Sequence, residues 1–130
     1  IYTFKVVGGN REINHNIAMN LRDDFKKGNI ELLVNEIEGR DYLIDRMDYT
    51  QATAYDQAHL ELPYLQTTAL VNELVNLEYE MSGGFVKIKE VGSARKDRYS
   101  SLGYANYLAD ILEEDLRKGS DEYDFGFFFN

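Results

Sequence analysis

With 130 residues, 44% of them hydrophobic and 13% aromatic, the chain suffices for one domain with a real core and not comfortably for two. It has no cysteine. Disulfides and thiolate metal sites are therefore excluded, and any metal is left to carboxylates, amides or the two histidines, a donor set for hard cations such as Mg²⁺ or Mn²⁺.

A net charge of −9 argues against nucleic-acid binding over the whole surface while leaving room for a local basic site. No apolar run approaches the roughly 20 residues that cross a bilayer, and no basic stretch leads into an apolar one as in a secretory signal. The expected setting is cytoplasmic, with no membrane partner.

The chain begins Ile1-Tyr2-Thr3-Phe4, in strand register and without a methionine, and reads as a piece of something longer. Alternation over Ile1–Val7 predicts a strand stopped at Gly8-Gly9-Asn10. Asn10 or Asn14 is placed to cap a helix whose apolar positions Ile13, Ile17, Leu21 and Phe25 recur every four residues, with Lys26-Lys27-Gly28 as its stop. His15 lies on this helix among asparagines and reads as an exposed polar residue.

Ile30 to Asn35 is short and mostly apolar, a strand suited to burial on both faces. Helix, turn and strand together read as an α/β step with a parallel or mixed sheet. Glu36 to Met47 predicts a helix interrupted at Gly39, and Asp48 to Thr53 a loop. A helical pattern resumes near Ala54 and meets Pro63, which is expected in the first turn of a new helix. Leu70, Val71, Leu74, Val75 and Leu77 then form a core stripe. His59, just before that helix, reads as structural or exposed.

Met81-Ser82-Gly83-Gly84 predicts a turn into a strand at Phe85–Val91. The last helix opens near Asp97 and is expected to turn Leu102, Ala105, Ala109, Leu112 and Leu116 inward, ending at Lys118-Gly119. The organisation is one domain over 1–118 and an acidic, Phe-rich tail over 119–130, in which four phenylalanines stand in five residues around Gly126.

Gly8-Gly9 and Gly83-Gly84 lack the following residues of a phosphate loop, and turns explain both. No Ser, His and acid arrangement has supporting local context. Asp97 differs by position, standing at a helix start among Arg95, Lys96 and Arg98. Its carboxylate either stabilises the first turn or ligates a hard metal beside cations that meet a phosphate backbone.

The run from Lys87 to Tyr107, with Ser93-Ala94-Arg95-Lys96-Asp97-Arg98-Tyr99-Ser100-Ser101-Leu102 at its centre, resembles the C-terminal end of the nuclease domain of tailed-bacteriophage terminase large subunits. The likeness covers most of residues 1–117. It implies an α/β fold, part of a ribonuclease-H-like mixed sheet with flanking helices, in a protein of phage or prophage origin that cuts concatemeric double-stranded DNA. By that resemblance Asp97 is the last of three metal-binding acids for Mg²⁺ or Mn²⁺, and Arg95, Lys96 and Arg98 contact DNA or support the metal site. The implied partners are double-stranded DNA, a small terminase subunit and a portal or capsid protein, with ATP confined to a separate upstream domain.

The chain departs from the family pattern in its earlier acids. The Ile1–Val7 strand has none and Ile30–Asn35 has only Glu31, so the other two ligands are expected upstream of Ile1 and the isolated polypeptide is expected to be inactive. Strand edges left open would then favour a homodimer. Two alternatives stand beside this reading: a non-catalytic protein-interaction domain, and another ribonuclease-H-like nuclease or resolvase relative.

Overall fold

The computed structural model describes residues 10–92 and 95–119. The expected Ile1–Val7 strand and the Phe-rich tail lie outside those residues. Helix α1 (Arg11–Lys27) starts where the Asn10 side chain accepts from the backbone N–H groups of Glu12 and Ile13, and ends at Gly28, whose φ of 72° supplies the left-handed cap. Of the expected inward positions Ile17 and Leu21 are buried, with Ala18 beside them, while Phe25 is half-buried and Ile13 is exposed.

Ile30–Asn35 corrects the first expectation, since it forms no strand. An apolar run becomes a strand only beside another strand, and here Leu32 and Leu33 stay exposed while Asn35 turns to cap α2 (Glu36–Ile44) through the N–H groups of Ile37 and Glu38. Gly39 does not interrupt that helix. It lets α4 approach, for a Cβ at Gly39 would lie 2.2 Å from Cγ of Tyr64. A short helix, α3 (Met47–Thr50), occupies part of the expected loop. Helix α4 (Ala54–Val75) runs unbroken from its Thr53 cap through Pro63, which therefore sits mid-helix instead of opening a new one. Pro63 is exposed, so the carbonyl it leaves unpaired can face water.

The chain is mixed helix and strand. Among the described residues the sheet is a two-stranded antiparallel hairpin, β1 (Glu78–Ser82) with β2 (Phe85–Lys89), paired from Glu78 opposite Lys89 to Ser82 opposite Phe85. Gly83 and Gly84, with φ of 59° and 82°, make the two-residue turn that matches strand twist. Strand β2 was legible and β1 was not.

Helix α5 (Asp97–Gly119) begins at the expected residue but presents a different face. Gly103 and the terminal Gly119 are its buried positions, Leu102 is half-buried, and Ala105, Ala109, Leu112 and Leu116 are exposed. The seam with α1 is set by close approach: a Cβ on Gly103 would stand 2.7 Å from Cγ2 of Ile17. Polar groups finish it, with Asn106 donating to the Asp24 carboxylate at 2.8 Å.

Two packing groups result. One joins α1, the hairpin and α5, the other α2, α3 and α4, and they meet where α4 touches α5. In the second group Leu43 and Tyr49 are buried, and the Tyr49 hydroxyl donates to Glu61, which also receives Arg40.

Candidate functional site at the α4–α5 junction

The start of α5 is organised by a residue far upstream. Glu73 on α4 is the one buried charged residue among those described. Its carboxylate accepts the Tyr99 backbone N–H at 2.7 Å and lies 3.5 Å from the Arg98 guanidinium. Arg98 also donates through Nε to Gln66 at 2.9 Å. Glu73 thus satisfies an orphan N–H of the first turn of α5 and ties the two packing groups together. The signal was in the sequence: between Pro63 and Leu77 it is the one charged residue, set inside an apolar stripe.

Asp97 is the first residue of α5, and its side chain is 78% exposed. Among the described residues its carboxylate meets only Arg95, at 4.0 Å. Its backbone carbonyl accepts from the Ser101 hydroxyl at 3.0 Å. The carboxylate faces a shallow concavity of about 650 Å³ whose other walls include Gln66, Thr67, Arg95 and Arg98.

The three flanking cations diverge. Arg95 is 82% exposed beside Asp97. Lys96 turns away and its ammonium donates to the Ile88 carbonyl at 3.4 Å. Arg98 is engaged by Glu73 and Gln66. The sequence groups these residues, and the fold gives each a different neighbour.

No group of three or more His, Cys, Asp or Glu converges among the described residues. A two-metal site needs several carboxylates, so the residues present do not hold such a pair of ions by themselves. Asp97 contributes one exposed carboxylate.

His15 corrects an expectation. It is half-buried, its Nδ1 accepts the Val86 N–H at 2.9 Å, and its ring meets Phe85 edge-on with centroids 5.7 Å apart. That acceptor role assigns its neutral-ring proton to Nε2. His59 is exposed, with Nδ1 3.0 Å from the Tyr55 carbonyl. No described helix is long and apolar enough to cross a membrane. Comparison with family models, with curated proteins and with solved structures gives no match to this chain.

Proposed function

We propose that the chain is the C-terminal part of the nuclease domain of a phage or prophage terminase large subunit, a divalent-metal-dependent endonuclease acting on concatemeric double-stranded DNA in the host cytoplasm. One observation carries this reading beyond the resemblance of Ser93–Leu102. The ordinary task of an acid at a helix start, accepting an N–H of the first turn, is done by Glu73, and the Asp97 carboxylate is left solvent-facing. A carboxylate that caps no N–H and stands exposed beside a cation suits a metal ligand near a phosphate backbone.

On this reading the hairpin and its flanking helices belong to a larger ribonuclease-H-like sheet, and the other metal-binding acids are not among the described residues. Mg²⁺ or Mn²⁺, once held by the complete set of acids, supplies activation of water and stabilisation of the leaving oxygen. Within this chain Asp97 offers its carboxylate, Arg95 a contact for a DNA phosphate, and Arg98, through Glu73, fixes the first turn of α5 on which Asp97 stands. A small terminase subunit and a portal or capsid protein are the proposed protein partners, and ATP hydrolysis belongs to a separate domain.

A second reading, a protein-interaction domain without catalysis, is favoured by the exposed stripe of Ala105, Ala109, Leu112 and Leu116 on α5. Plasmid cleavage by the full-length protein separates the two. Mn²⁺- or Mg²⁺-dependent cleavage that Asp97→Ala reduces by at least a hundredfold supports the nuclease. Undiminished cleavage by that variant, or none by the wild type with either ion, removes it.

A further inference from the structure

A second concavity lies between the first turns of α1, strand β2 and the first turns of α5, with a volume of about 270 Å³. None of its lining residues lines the concavity that Asp97 faces. Its wall carries Arg11 and Asn14 of α1, Lys96 just ahead of α5, and Tyr99, Ser100 and Tyr104 of α5. No Asp or Glu is among the lining residues, although the chain has 23 acids against 14 Lys and Arg.

The cations there are only partly neutralised. Arg11 has no ion pair or hydrogen-bond partner among the described residues. Lys96 spends one donor on the Ile88 carbonyl and keeps two. Lys87, also at the rim, has its ammonium 3.9 Å from Glu80 on the neighbouring strand. Behind the wall, the buried Glu73 carboxylate is already met by Arg98 and the Tyr99 N–H.

The remaining lining groups are amide, hydroxyl and ring, with the aliphatic side chains of Ile17, Val86 and Ile88. Burial, and then the neighbouring Tyr104, push the Tyr99 hydroxyl above its ordinary value, so it stays protonated and able to donate. Donors and cations without a carboxylate select an anion, and guanidinium and ammonium groups both bind phosphate. The Tyr104 ring, partly exposed, offers a face on which a base can stack. The volume is at the low end for a small-molecule site and suits one nucleotide, not a duplex.

We propose that this cleft is a phosphate-binding site for one nucleotide unit, with Arg11 and Lys96 as the cations that attract the phosphate and Tyr104 as the face for the base. The choice of a nucleotide as ligand rests on the nuclease reading; the anion selectivity does not. The unit is either a free nucleotide or one residue of a single strand.

The test titrates the chain with inorganic phosphate, thymidine 5′-monophosphate and a four-nucleotide oligothymidylate, followed by amide chemical shifts and calorimetry. The nucleotide is expected to shift the amides of Arg11, Asn14, Tyr99 and Ser100 saturably. Arg11→Gln and Lys96→Gln each weaken binding by about tenfold or more, the loss expected for a charged hydrogen bond. Arg22→Gln, on α1 outside the cleft, changes nothing, and circular dichroism confirms that each variant is folded.

Tighter binding of the oligomer than of the mononucleotide assigns the site to a strand, and equal binding assigns it to the free nucleotide. No saturable shift with any of the three ligands overturns the proposal, as does affinity unchanged in both cleft variants. Asp97→Ala is expected to leave this binding intact. A failed cleavage assay and a failed cleft are therefore read separately.

Discussion

An acid at a helix start caps the helix when its oxygen reaches a free N–H, and otherwise contributes only the smaller interaction with the helix dipole. Both cases occur within one turn of α5. Glu73 reaches the Tyr99 N–H from α4, and Asp97, inside the helix, faces solvent. Removing Glu73 leaves that N–H and the Arg98 guanidinium short of a partner. Glu73→Ala is therefore expected to lower unfolding stability by about 2–3 kcal/mol, the cost of orphaning buried and charged hydrogen-bonding groups. Asp97→Asn is expected to stay within about 0.5 kcal/mol of the wild type, as exposed substitutions do. Urea unfolding of the two variants checks both values. Equal losses in the two would show that Asp97 has a structural task after all.

At the scale of elements, the sequence was most legible where a side chain decides its own neighbourhood. Asn10, the Ile17–Leu21 face, Gly28 and the alternation of Phe85–Lys89 act locally, and each took its expected place. Legibility failed where a partner decides. Ile30–Asn35 has strand composition but no strand beside it, and the inward face of α5 is fixed by the fit of Gly103 against Ile17, which outweighs its apolar stripe. His15 looked exposed because its acceptor role depends on Val86, far away in sequence.

The α1–α5 seam also carries a charge conflict that periodicity does not reveal. Hydrogen bonds from Asn106 and then Asn29 hold Asp24 below the usual carboxyl range. Burial and then the Asp24 charge push Asp110 above it. A lowered carboxyl adds stability above its unfolded value of 3.8, lost as pH falls through the lower folded value. The raised Asp110 works in the opposite sense: its protonated form favours the fold, and that contribution fades as pH rises through its folded value. Asp110→Asn is accordingly expected to melt above the wild type at pH 7, with the gap closing toward pH 4 and shrinking in high salt. Melting curves at the two pH values check this, and a gap that widens on acidification would contradict it.

Across the whole molecule, two packing groups share a narrow joint made by Glu73, Gln66 and Arg98. Their outer faces keep large apolar side chains in water, among them Ile37, Met47, Tyr55, Val75, Tyr79 and Leu116. Under the proposed function, the remaining strands of a nuclease sheet or a separate partner would cover part of this surface. The site shows the same division between what was legible and what was not. Position and charge singled out Asp97 in the sequence, while the separate destinations of Arg95, Lys96 and Arg98 required the fold.

Anomalous diffraction from crystals of the full-length protein soaked in Mn²⁺ tests the central claim most directly. The account predicts a Mn²⁺ ion with an Asp97 carboxylate oxygen about 2.0–2.3 Å away, the range of hard-cation bonds to oxygen, shared with at least two other carboxylates. Mn²⁺ bound elsewhere, with Asp97 in no coordination shell, would contradict it.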